Sequence, residues 1–189
     1  MNPPVHIIYK RKRNSSGTIK DGAIHLAIAA HLPKAEKERH IQVLTAKLAA
    51  RLQQSQSRAQ NWETAGPPGW LAPSPVLDDA ALAAWAAEIN DRYYGFQLGR
   101  VHFKQQRARW GSCSGRTRTI SISDRLRGGP HTLLEYVLVH EIAHLGELNH
   151  SERFWALVAK AMPDWPQRRQ LLRQYEELLR AGLLPEAGG

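Results

Sequence analysis

Residues 133–145 read Leu-Leu-Glu-Tyr-Val-Leu-Val-His-Glu-Ile-Ala-His-Leu, an apolar run broken only by Glu135, His140, Glu141 and His144. No other segment constrains the fold so strongly. Pro130 precedes it and suits a helix start, so the pattern predicts a helix over about 131–146. A helix that is apolar nearly all round must be buried. Its histidines and Glu141 then need partners, because burying such groups alone is costly. His140 and His144 stand at i and i+4, on one face and a turn apart. Both imidazoles can reach one metal ion, and Glu141 lies beside that face, where it can deprotonate a water.

A catalytic zinc ion takes three protein ligands and keeps one position open. The third candidate is His150, with Glu147, Glu152 and Glu176 as rivals. Gly146 and Asn149 can end the helix in a left-handed conformation and turn His150 back. The expected cofactor is one Zn2+ on His140, His144 and His150, with Glu141 as general base. Cys113 is the single cysteine, so neither a disulfide nor a cysteine-built structural zinc site is available. That suits a reducing, cytoplasmic setting.

Around this helix the pattern is mixed. Residues 5–11 and 18–29 alternate as strands, with turn chemistry at 14–17 and at Asp21-Gly22. Pro33 opens a helix over about 33–56, with Ile41, Leu44, Leu48 and Leu52 on one face. Residues 61–76 carry Gly66-Pro67-Pro68-Gly69 and Pro73-Ser74-Pro75 and read as a linker. A second helix is expected over about 77–94. Residues 100–108 and 117–123 read as strands joined by a turn over 110–115. Ser151 caps a helix over about 152–161, and a last amphipathic helix covers about 165–182.

The net charge of +9 is unevenly spread, with 11 Lys/Arg against 3 Asp/Glu in residues 1–60 and 8 against 1 in residues 100–130. The basic segments 10–58 and 100–127 are candidate nucleic-acid contacts, against the plainer reading of solvated faces. No apolar run is long enough to span a bilayer.

Arg109-Trp110-Gly111-Ser112-Cys113-Ser114, the run Ile120 to Leu126, the run Tyr136 to Leu145, Asn149-His150-Ser151 and Phe154-Trp155 together resemble the YgjP-like metallopeptidases, relatives of the SprT-like and Spartan proteases. The likeness covers about residues 100–175. It implies an α+β fold: a compact zincin-like domain with a small antiparallel sheet on the HExxH helix, and His150 as third ligand. Asp124 stands where the family pattern has Asn. The expected organisation is a basic β-hairpin and helix over 1–60, a linker over 61–76 and a zincin-like core over 77–189.

The chemistry expected is hydrolysis of a protein or peptide substrate, with DNA-associated proteins as one candidate class. Tyr136, Arg109 and Ser112 are candidate oxyanion donors, and 117–123 is the candidate edge for an extended substrate. The competing reading is a nucleic-acid-binding adaptor whose zinc site only stabilises the fold. Glu141 favours the enzyme, since a structural site has no need of it.

Overall fold

The computed structural model describes the backbone of residues 3–65 and 68–184, and the side chains of these except 62–65. The described residues form two units, one of residues 3–65 with 174–184, the other of residues 68–173. The sequence-based division differs here, because it assigns 174–184 to the C-terminal core.

In the first unit, β1 (Val5–Lys10), β2 (Ser16–Lys20) and β3 (Ala23–Ala29) make a sheet of order β1-β3-β2. The hairpin joins β2 to β3, and Asp21 and Gly22 both take positive φ in its turn, at 50° and 73°. Two such residues give the turn whose twist matches flanking strands. β1 does not pair with its neighbour in sequence. It lies parallel to β3, with Val5 opposite Ile24 and Ile7 opposite Leu26. Ile24, Leu26 and Ile28 are almost wholly buried, which places β3 at the centre of the sheet.

Helix α1 (Lys34–Ala65) covers this sheet, and Leu48 and Leu52 join Ile19, Ile24, Leu26, Ile28 and Ala181 in one apolar cluster. The helix runs past the expected end at 56 because nothing breaks it before Gly66-Pro67. Gly17 on β2 permits the close approach: a Cβ there would stand 2.6 Å from Leu48 Cδ1.

In the second unit, Asp78 caps α2 (Asp79–Tyr93), its side chain accepting from the Ala81 N–H at 2.7 Å. Three strands follow, β4 (Val101–Lys104), β5 (Gly111–Ser114) and β6 (Thr119–Ser123), in the order β4-β6-β5. β4 is parallel to β6 and β5 antiparallel to it, so the sheet is mixed rather than antiparallel as expected. Residues 111–114, read from sequence as a turn, are a strand, and β6 is central rather than an edge. Gly-Ser-Cys-Ser lacks the branched apolar residues by which a strand is recognised. Fully buried Ile120 and Ile122 place β6 in the middle.

Helix α3 (His131–Ala143) buries Leu133, Leu134, Val137, Leu138, Val139 and Ile142, as its composition requires. The linker is tied down ahead of it: Ser74 is buried and donates to the Gly129 carbonyl at 2.8 Å. Helices α4 (Glu152–Ala161) and α5 (Trp165–Arg180) complete the chain. No described helix is long and apolar enough to cross a membrane.

Candidate metal centre

His140 lies three residues before the end of α3, and His144 follows as its C-cap. The helix does not end on a left-handed residue as expected, since neither Gly146 nor Asn149 has positive φ. It tightens instead through bonds from Leu145 N–H to the Ile142 carbonyl and from Gly146 N–H to that of Ala143. Gly146 is small for a packing reason: a Cβ there would meet the Phe96 ring at 2.6 Å. The chain then turns, and Ser151 caps α4 by accepting from the Phe154 N–H. This turn carries His150 back to the helix.

One ligand nitrogen each from His140, His144 and His150 lies within 4.8 Å of the other two. His140 Nε2 and His150 Nε2 are 3.0 Å apart. Two nitrogens held 2.0–2.1 Å from one tetrahedral ion would stand about 3.3 Å apart, so the spacing fits a shared ion. His144 Nδ1 donates to the Glu147 backbone carbonyl at 3.0 Å, which leaves its Nε2 with the lone pair a metal requires. His140 Nδ1 is buried without a hydrogen-bond partner among the described residues. Burial, then the neighbouring His144 and His150, push the His140 pKa down to about 3, so the ring is neutral at ordinary pH. Burial also lowers the pKa of His144. Three imidazoles facing one another, with no carboxylate in the cluster, fit a divalent cation. Glu147, Glu152 and Glu176 are not part of it.

Phe154 is fully buried and packs against all three rings, at centroid distances of 4.8, 4.4 and 4.7 Å from His140, His144 and His150. Trp155 lies 5.9 Å from His140 and 5.6 Å from His150. These apolar walls orient the imidazoles.

Glu141 is 6% exposed. Burial pushes its carboxyl up to about 8, against the downward pull of Arg109. Edge strand β5 passes directly over it, and a Cβ on Gly111 would stand 2.6 Å from Glu141 Oε1. Sequence reasoning missed this role of Gly111, because the strand itself was not legible.

A model of the YgjP-like metallopeptidase domain matches residues 76–175, more than half of the chain. The chain belongs to the YgjP-like metallopeptidase family. The matched segment contains the three histidines, Glu141 and β5. The crystal structure of the metallopeptidase zymogen of Pyrococcus abyssi abylysin is similar to 50% of the YgjP-like chain and to 93% of its own, with TM-score 0.46 and 19% identity. No curated protein matches.

The remaining sequence candidates divide. Tyr136 is buried, and burial raises its pKa to about 12. Cys113 is half-buried on β5, its thiol pushed up to about 11 by burial and then by Glu141. Asp124 opens the short 3₁₀ turn after β6. Trp70 is half-buried, whereas the side chain of Trp62 lies outside the described residues.

Proposed function

We propose that this YgjP-like chain is a zinc-dependent peptidase in which His140, His144 and His150 hold one ion and Glu141 moves the proton. The observation that carries the reading is the juxtaposition of three facing imidazole nitrogens with a buried carboxyl whose pKa is about 8. A zinc ion bound there supplies Lewis acidity, polarising a peptide carbonyl and making water a nucleophile near neutral pH. The Glu141 carboxylate takes the proton of the attacking water and returns it to the leaving amine. A carboxyl group that titrates near the working pH suits both transfers. Its place between α3 and β5 keeps bulk water away from the proton.

The substrate strand is proposed to lie along β5, the sheet edge that covers Glu141. Backbone N–H and C=O groups on that edge can pair with an extended peptide. Arg109, Ser112 and Tyr136 are the candidate donors to the developing oxyanion.

A second reading, a nucleic-acid-binding adaptor with a structural zinc site, draws on the basic run Lys10-Arg11-Lys12-Arg13, which begins at the last residue of β1. In combination with the first it gives a peptidase acting on DNA-associated proteins. The test is incubation of zinc-loaded protein with casein and with a basic DNA-binding protein, with and without single-stranded DNA, beside Glu141→Gln. Fragments that require Glu141, disappear with chelator and reappear with zinc support the peptidase. Salt-sensitive DNA binding with no cleavage supports the adaptor.

A further inference from the structure

We infer that the candidate site selects acidic, extended segments, whose carboxylates are received by Arg109 beside β5 and by Arg169 and Arg173 on α5. The inference rests on the peptidase reading and names the substrate class for that site.

Three observations carry it. First, the strand proposed to seat the substrate lies in a stretch without acids: between Asp91 and Asp124 there is no Asp or Glu, but Arg92, Arg100, Lys104, Arg107, Arg109, Arg116 and Arg118. Second, Arg169 is exposed and sits over the Trp155 ring at 5.0 Å, and that ring lies against both His140 and His150. Arg173 is one helical turn further on and therefore on the same face; it is exposed as well. Third, none of these arginines is held in a direct ion pair. Among the described residues none of Arg109, Arg169 and Arg173 has an ion-pair partner. The acids of α5 nearest Arg173, Glu176 and Glu177, pair with Arg180 and Arg51, and Glu135 on α3 and Asp164 just before α5 pair with Arg168.

The charges reach the site residues. Arg109 acts on Glu141, Arg169 on His140 and Tyr136, and Arg173 on Tyr136. A site with fixed charge of one sign concentrates and orients ligands of the other, and repels ligands of its own. A guanidinium fork set on an aromatic face is preorganised to receive a carboxylate. Basic, DNA-associated proteins are then the disfavoured substrates of this site.

The experiment uses three extended fluorogenic peptides of equal length, flanked by Asp/Glu, by Ser/Gln or by Lys/Arg, with zinc-loaded full-length protein at low and moderate salt. The acidic peptide is expected to exceed the basic one in kcat/KM by roughly tenfold or more at low salt, with the ratio shrinking as salt rises. The double variant R169E/R173E is expected to pull that ratio towards one or invert it. Binding of the acidic and basic peptides to Glu141→Gln, read by fluorescence anisotropy, gives the same comparison without turnover. If no peptide is cleaved but the acidic one binds Glu141→Gln more tightly, the charge selection stands and the peptidase reading fails. Equal or reversed preference in binding overturns the selection. So does inhibition by single-stranded DNA that is equal for all three peptides and is lost in R169E/R173E, because the arginines then serve a polyanion.

Discussion

The two small sheets of this protein have the same construction and different uses. In each, the first strand is parallel to the third, the second is antiparallel to it, and the third is central. In each, a glycine on the second strand lets a helix side chain press against the backbone: Gly17 admits Leu48, and Gly111 admits Glu141. The first contact completes an apolar cluster. The second seats a carboxyl away from water and raises its pKa. The same close approach yields an apolar cluster in one unit and a desolvated carboxyl in the other, and the difference lies in one helix residue.

Replacing that residue gives the largest expected effect. Glu141→Gln should lower kcat by about 10²–10⁴-fold, the usual contribution of a positioned acid–base group. It should also stabilise the metal-free protein at alkaline pH. With its folded pKa raised from 4.5 to about 8, Glu141 contributes stability below pH 4.5 that is lost as pH rises through 8. Gln carries no such loss. Thermal melts of chelated wild type and variant should coincide near pH 4 and diverge above pH 8, by on the order of a few kcal/mol. Coinciding melts at pH 9 would mean that β5 does not desolvate Glu141.

Metal removal sharpens the comparison next. An ion present at about a thousandfold its Kd stabilises the folded state by about 4 kcal/mol. Hydrogen exchange should show the loss in α3 and residues 144–150, with β3 and α1 unchanged. Equal deprotection of both units would break the contrast.

The two glycines offer a direct pair. Gly17→Ala forces a methyl into a packed cluster and should cost about 1–3 kcal/mol, leaving kcat/KM per folded molecule unaltered. Gly111→Ala should displace the Glu141 carboxylate, lower kcat more than it raises KM and shift the pH profile. A Gly111→Ala enzyme with wild-type pH dependence would remove β5 from the positioning of Glu141.

The smallest effect concerns Tyr94, whose hydroxyl donates to the Leu157 carbonyl at 2.9 Å. Burial raises its pKa above the ordinary 10. Its contribution is therefore complete below pH 10 and is lost as pH rises above it. Tyr94→Phe should cost about 1 kcal/mol at neutral pH and flatten the alkaline loss of stability, measured by denaturant melts between pH 8 and 11.

Much of this was legible in the sequence. An apolar run with His140, Glu141 and His144 can only be a buried helix carrying polar groups that need a partner, and i,i+4 spacing fixes two rings on one face whatever surrounds them. Ser151 announced the helix start that it caps. These are local facts, set by periodicity and by side-chain chemistry within one turn. Strand neighbours are not local. Ser-Cys-Ser beside a glycine has no period to read, and only pairing with β6 makes it a strand, the edge and the cover of Glu141. Parallel pairing of β1 with β3 is likewise settled by the sheet, in which β3 turns Ile24, Leu26 and Ile28 to the core and takes the central place. The return of His150 to His140 depends on Phe96 and Phe154 filling the space around residues 144–150, and the raised pKa of Glu141 on the backbone laid over it. The sequence named the candidate groups; their burial and their approach came from residues distant in the chain.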